Sequence, residues 1–302
     1  MRTRKLGPLE VTVVGLGCNN FGGRLDEDGT RAVVDAALEA GVTFFDTADI
    51  YGGTLSETFL GRILTARRDQ IVLATKFGMQ VSPDKSGADP AYVHRAVRDS
   101  LDRLQTDHID LYQLHQPDPT VPIADTLAAL QELVEDGLVR EIGCSNFSAT
   151  QLAEAGDAVA DGAARFVSVQ NELSLLEPKD LDDGLVGAEK LGLAYIPYFP
   201  LASGVLTGKY RRGEPPQPGT RLAHYQEAVS DAEFDRVDAL TRFAADHDRT
   251  LLELAIGWLA SLGPVASVIT GATKPEQIRA NAAASGWRLT EEELAAVTAI
   301  VT

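Results

Sequence analysis

The sequence predicts an α/β fold closed into a (β/α)8 barrel, and three observations predict it. Eight short apolar runs recur along the chain, helical stretches lie between them, and glycine ends several of those helices. Strands alternating with helices make βα units and a parallel sheet. Eight such units close most economically as a TIM barrel.

The runs are VTVVGLG (11–17), VTFFDTA (42–48), IVLATKF (71–77), IDLYQLH (109–115), REIGCSNF (140–147), FVSVQNE (166–172), LAYIPYFP (193–200) and VASVITGA (265–272). Each is close to continuously apolar rather than alternating, as strands buried on both faces are. The helices are punctuated. Asp89 is placed as an N-cap with Pro90 at the first helical position, and Val93, Val97, Leu101 and Leu104 mark one apolar face. Gly41, Gly137 and Gly192 each follow a helical stretch where a left-handed C′ residue belongs.

An open doubly wound sheet is the rival. It needs a glycine-rich fingerprint after the first strand, but in GLGCNNFGG the third glycine position is Asn20 and Phe21-Gly22-Gly23 starts a helix poorly. The long Pro- and Gly-rich segment 208–231 separates the seventh strand from its helix, and reads as a functional lid or clamp. Residues 1–302 are thus expected to form one domain, with an N-terminal β-hairpin before the barrel and two short C-terminal helices after it.

Composition excludes several function classes. With 302 residues, 44% hydrophobic and 24% charged, the chain is ordinary globular protein. A formal net charge of −17 disfavours nucleic acid or an anionic membrane as main partner. The two cysteines, Cys18 and Cys144, lie on different predicted strands, which fits a reducing, cytoplasmic compartment. The N-terminus lacks a signal-peptide core, and no apolar run reaches membrane-spanning length. His94, His108, His224 and His247 show no ligand spacing, so no metal site is expected. The acidic clusters DLDDG and TEEEL read as solvated faces and helix starts.

A barrel of this kind carries its active site at the C-terminal strand ends. There the sequence places Asp46 and Tyr51, then Lys76, then His115. Taken singly, each has an ordinary structural reading: a turn cap, a rim aromatic, a snorkelling lysine, a satisfied core histidine. Together they describe a proton donor. A free tyrosine titrates near about pH 10, and a nearby ammonium favours its phenolate, so Lys76 is expected to lower the Tyr51 pKa. Asp46 holds the lysine, and His115 orients a substrate carbonyl. That set suits carbonyl reduction, with the hydride coming from a cofactor.

At family order and spacing, VVGLGCNNFGG, DTADIYGGTLSE, ATKFG, LHQPD, VREIGCSNF, VQNELSLL, YFPLASGVLTGKY and GATKPEQIRANAAA resemble the aldo-keto reductases, most closely their bacterial oxidoreductases and potassium-channel β subunits. The resemblance implies Tyr51 as general acid, Lys76 and Asp46 as its tuning pair, and His115 as the substrate-orienting residue. It implies a bound NADPH, with NADH possible. Gly17, Cys18, Asn19 and Asp46 would lie along the cofactor; Ser145, Asn146 and Gln170 would bond its carboxamide and Tyr198 stack on its ring. Phe199, Pro200, Leu201, Ser203, Gly204 and Lys209 would line the pyrophosphate, with Arg221 closing over it. Gly271, Thr273, Lys274, Gln277 and Asn281 would hold the adenosine end, helped by a helix start after Lys274.

The chain also departs from the family pattern. Gln277 stands where many relatives have arginine against the 2′-phosphate, and Ala280 where they often have glutamate, leaving Lys274 and Arg279 as the positive charges there. Gly53-Thr54 displaces the usual second glycine after Tyr51, and the short C-terminal tail implies an open, permissive site for small carbonyl or alcohol substrates. Two other functions are consistent with the residues. One is a cofactor-holding redox sensor docked on a partner; the other is a barrel lyase or isomerase using Lys76 as a Schiff-base amine. The oligomeric state is left open.

Overall fold

A computed structural model of the chain describes residues 1–160, 162–226 and 228–302. An N-terminal hairpin of β1 (Thr3–Leu6) and β2 (Leu9–Thr12) precedes eight barrel strands. These are β3 (Val14–Gly17), β4 (Phe44–Asp46), β5 (Val72–Phe77), β6 (Ile109–Leu114), β7 (Val139–Ser145), β8 (Phe166–Glu172), β9 (Ala194–Tyr198) and β10 (Val268–Gly271). The intervening helices are α1 (Glu27–Glu39), α2 (Leu55–Leu64), α3 (Pro90–Leu104), α4 (Ile123–Glu135), α5 (Ala149–Asp157) and α6 (Gly184–Leu191). After β9 come α7 (Arg221–Tyr225), α8 (Asp231–Asp246) and α9 (Leu251–Ser261), and after β10 come α10 (Pro275–Ala283) and α11 (Glu291–Val301).

The eight strands pair in parallel in the order β10-β3-β4-β5-β6-β7-β8-β9. The ends meet where Tyr195 N–H donates to Pro264 O at 2.8 Å and Ala266 N–H donates to Tyr195 O at 2.9 Å. This is the (β/α)8 barrel the sequence predicts. Its strands bury two apolar sets. An outer layer packs under the helices, while Phe44, Ala74, Leu111, Ile196 and Ile269 fill the interior. Gly15 makes room for that filling, because a Cβ there would come within 2.8 Å of the Phe44 ring.

The hairpin plugs one end. Leu6, Leu9 and Val11 join the interior cluster, so the N-terminal mouth is closed by apolar side chains and only the C-terminal mouth is left for chemistry. The first run therefore divides: Val11 and Thr12 belong to the plug, and Val14–Gly17 to the barrel.

Local signals behave as their chemistry dictates. Asp89 accepts from Ala91 N–H at 2.9 Å, and Val93, Val97, Leu101 and Leu104 are buried. Each such side chain contributes about 1.5–3 kcal/mol as an upper bound. Gly41, Gly137 and Gly192 have φ of 75°, 73° and 67°. The single helix expected after segment 208–231 is instead two, α8 and α9, because Thr250 and Glu253 form a capping box that starts a new helix. DLDDG does start a helix, with Asp183 at the N-cap of α6, and Asp182 and Asp183 are exposed, but the cluster is more than a solvated face. Asp180 accepts from Tyr195 OH at 2.5 Å and Asn171 Nδ2 at 3.0 Å, and Asp183 from Ala149 N–H at 2.8 Å, which anchors α6 to its neighbours. TEEEL does start a helix, with Thr290 and Glu293 as its capping box. Among the described residues no helix is long and apolar enough to cross a membrane.

Candidate active site

Strand register brings the rim residues level. Gly17 pairs with Asp46 and with Gly271, Lys76 with Gln113, and Ser145 with Gln170. Side chains two apart on a strand share a face, so Gln113 and His115 both turn toward the mouth.

At its base lies a buried ion pair, Lys76 Nζ to Asp46 Oδ2 at 2.6 Å. Lys76 Nζ also donates to Thr47 O at 3.0 Å and to Tyr51 OH at 3.4 Å. Asp46 Oδ1 accepts from Gln170 Nε2 at 2.9 Å and Gln113 Nε2 at 3.1 Å. Both carboxylate oxygens are therefore satisfied, as a buried charge requires. Burial works against the Lys76 ammonium, but Asp46 and Tyr51 outweigh it and raise its pKa above the ordinary value. The lysine is held charged.

Tyr51 runs against the sequence expectation. Burial is the largest influence on its phenol and outweighs Lys76, with Asp46 acting in the same sense as burial, so its pKa is raised rather than lowered. The hydroxyl stays protonated through neutral pH. Lys76 limits the unfavourable shift without reversing it. The Tyr51 ring meets His115 edge to face, with centroids 5.8 Å apart. Burial first, then Lys76, push the His115 pKa down to about 3, so its imidazole is neutral. His115 Nδ1 is buried with no hydrogen-bond partner.

The structure brings the residues of the expected carboxamide site together beside this group. Ser145 Oγ donates to Gln170 O at 2.6 Å, Asn146 Nδ2 donates to His115 O at 2.9 Å, and Tyr198 OH donates to Asn146 Oδ1 at 2.8 Å. Gln170 has a second duty the sequence did not show, since its amide donors serve Asp46. Cys18 is fully buried, with its N–H on Asp46 O and its carbonyl accepting from Ser56, so it buttresses the site from behind. Gly17 and Asn19 lie on the same rim, and Asn19 Oδ1 approaches Gly271.

The segment after β9 fits a diphosphate. Phe199, Ala202, Ser203 and Gly204 all have positive φ, from 44° to 89°. The Ala202 and Gly204 N–H groups are bonded within the turn to Phe199 O and Leu201 O, so the charge for an anion comes from the side chains around it. Pro200 and Leu201 lie within this stretch. A Cβ at Gly204 would sit 2.6 Å from Lys209 Nζ, so the ammonium lies against that backbone. The Arg221 guanidinium packs 4.7 Å from the Phe199 ring centroid, and its buried Nε has no partner. Arg24, which sequence reasoning missed, donates to Asn20 Oδ1 at 3.5 Å and Gly219 O at 2.8 Å, tying the first loop to the 208–231 segment. No local pattern marks its bond to Gly219, which spans 195 residues.

At the end expected to take the adenosine, Lys274 precedes α10 as its N-cap residue. Gln277 Oε1 turns back to accept from Thr273 N–H at 2.8 Å, and Asn281 is buried. Arg279 is drawn to Glu39 at 2.7 Å in an exposed pair. The positive charge expected from it is shared with a carboxylate.

Gln113 was missed too, although its two-residue offset from His115 in LYQLH signalled an inward polar side chain. Glu57 belongs to α2. It is fully buried, accepting from Thr75 Oγ1 at 2.6 Å and Arg103 Nε at 2.7 Å. Among the described residues there is no group of three or more His, Cys, Asp or Glu able to hold a metal ion.

An ion-paired lysine under a tyrosine at the C-terminal mouth of a (β/α)8 barrel marks the candidate site of a barrel enzyme. The chain belongs to the aldo/keto reductase family, whose family model matches residues 13–302. It is 35% identical over 310 residues to the aldo-keto reductase str7 of Strobilurus tenacellus, covering 98% of this chain and 90% of that protein. It is 34% identical over 283 residues to a probable voltage-gated potassium channel subunit beta of Oryza sativa subsp. japonica, covering 86% and 83%. The holo form of the aldo-keto reductase AKR11C1 from Bacillus halodurans superposes with a TM-score of 0.84 at 32% identity, covering 100% of this chain and 97% of that one.

Proposed function

We propose that this chain, acting as one domain over residues 1–302, reduces small aldehydes or ketones to alcohols with NADPH and runs the reverse oxidation. The observation that carries this reading is the Tyr51 hydroxyl 3.4 Å from a lysine that is itself locked on Asp46. Bound NADPH would supply the hydride, which no side chain carries. Neutral His115 donates a hydrogen bond that orients the carbonyl oxygen. Tyr51 gives its proton to the developing alkoxide: its O–H bond breaks, the substrate O–H forms, and the phenolate left behind faces the Lys76 ammonium. Solvent then reprotonates Tyr51. Because burial keeps the phenol protonated, reduction starts from the competent form.

Ser145, Asn146, Gln170 and Tyr198 would hold the nicotinamide end. Gly17, Asn19 and the 199–204 turn with Lys209 and Arg221 would hold the diphosphate. Gly271, Thr273, Lys274, Gln277 and Asn281 would hold the adenosine end. With Arg279 paired to Glu39, Lys274 carries the preference for NADPH over NADH, and NADH is a usable second cofactor. We place the protein in the cytoplasm, on its cysteine usage.

Tyr51→Phe tests this reading. NADPH oxidation with 4-nitrobenzaldehyde should fall about 10²–10⁴-fold, while NADPH still raises the melting temperature. Equal rates in variant and wild type would falsify the mechanism. The rice relative's name invites a second reading, a cofactor-holding subunit without turnover, which predicts the same thermal shift and no activity on any carbonyl. A Schiff-base role for Lys76 is disfavoured, because an ammonium held charged by Asp46 is a poor nucleophile.

A further inference from the structure

The mechanism leaves one buried acid unused. Asp49 lies on the turn between Asp46 and Tyr51 and is 1% exposed. Its N–H donates to Lys76 O at 3.1 Å, so its backbone ties the turn that carries Tyr51 to the strand that carries Lys76. Its carboxyl is poorly anchored by comparison: Oδ1 is buried with no hydrogen-bond partner.

The groups acting on it are Glu57 of α2, Arg103 and Tyr92 of α3, Lys76 of β5 and Tyr112 of β6. Two of these are cations, and both are engaged. Arg103 is bonded to Glu57, and Lys76 to Asp46. Two buried acids are thus matched by two cations, and an ionised Asp49 would be a third carboxylate with no cation of its own, helped only by the Ile50 N–H. A buried charge left uncompensated is strongly unfavourable. Its relief would be hydration, which requires the turn to open.

We propose that Asp49 is a positioning residue for the carbonyl reduction: while its buried carboxyl is neutral, the bond from its N–H to Lys76 O keeps the 48–53 turn closed and Tyr51 against Lys76, and its ionisation loosens that turn. The inference rests on the reductase reading above. Burial first, and Glu57 second, push the Asp49 pKa up to about 7. Tyr51 is raised above its ordinary value and His115 lies at about 3, so neither titrates near neutrality.

The test is kcat and KM for 4-nitrobenzaldehyde at saturating NADPH from pH 6 to pH 9, in wild type and Asp49→Asn. Wild-type kcat should break near neutrality and fall about tenfold per pH unit above the break. D49N cannot ionise, so that break should be absent from its profile. Glu57→Gln, by removing a neighbouring negative charge, should move the break to lower pH. A difference infrared titration, wild type minus D49N, reads the protonated carboxyl without using activity and should lose its band across the same range. A D49N profile that keeps the wild-type break, or a carboxyl already ionised at pH 6, overturns the proposal and leaves the reductase reading standing. A wild type without turnover at every pH overturns both.

Discussion

Lys76 Nζ and Asp46 Oδ2 lie 2.6 Å apart, with side-chain exposures of 0% and 3%. Such a pair is expensive to bury and more expensive to break. Lys76→Met should lower stability by about 3–5 kcal/mol, read as a fall in the urea midpoint. Adding Asp46→Asn should recover a large part of that loss, because no buried charge then lacks its partner. A double variant as unstable as the single one would count against this account.

The two amides on Asp46 Oδ1 make a graded test. Gln113→Leu removes one donor while Gln170 remains, and should cost about 1 kcal/mol of stability with turnover retained. Gln113→Glu places a carboxylate beside Asp46 and should be far more damaging to both. Comparable effects of the two substitutions would show that Gln113 serves packing rather than charge.

Stability should carry two opposed pH dependences. His115 is depressed to about 3 in the fold, so below its ordinary value the unfolded chain binds a proton that the native state does not. Its contribution is present at neutral pH and lost as pH falls, by about tenfold in the folding equilibrium per pH unit. Asp49 is raised from 3.8 to about 7, so its contribution is present in acid and lost as pH rises through that interval. Urea midpoints at pH 5 and pH 7 separate the two. His115→Gln should gain on wild type toward pH 5, and Asp49→Asn should gain on it toward pH 7.

Gly52 and Gly137 offer a matched pair. Both have positive φ, 59° and 73°, but a Cβ on Gly52 would run into Phe21 O, whereas Gly137 faces open space. Gly137→Ala should cost about 1–2 kcal/mol from conformation alone. Gly52→Ala adds a backbone collision beside Tyr51, and should reduce kcat as well as the melting temperature.

Arg279 and Lys274 were equal candidates for the 2′-phosphate until the fold paired Arg279 with Glu39. Arg279→Ala should leave the ratio of NADPH to NADH affinity nearly unchanged. Lys274→Ala should reduce that ratio severalfold, as loss of a charge-assisted contact of about 1 kcal/mol would. Calorimetric titration of both dinucleotides reads the difference.

What the sequence by itself determined is local or periodic. The eight strands, the Asp89 cap, the helix-ending glycines and the rim positions of Asp46, Tyr51, Lys76 and His115 follow from hydrophobic period, capping chemistry and the strand-end rule. Each depends on neighbours a few residues away, so the information is present in the linear chain. The tertiary structure decided the rest. Gln170 reaches Asp46 across 124 residues, Arg24 reaches Gly219 across 195, and Glu57 finds Arg103 on another helix. The direction of the Tyr51 shift was also beyond the sequence, because the ammonium is visible in a motif and the depth of burial is not. Desolvation depends on everything packed around a group, and only the closed barrel supplies that.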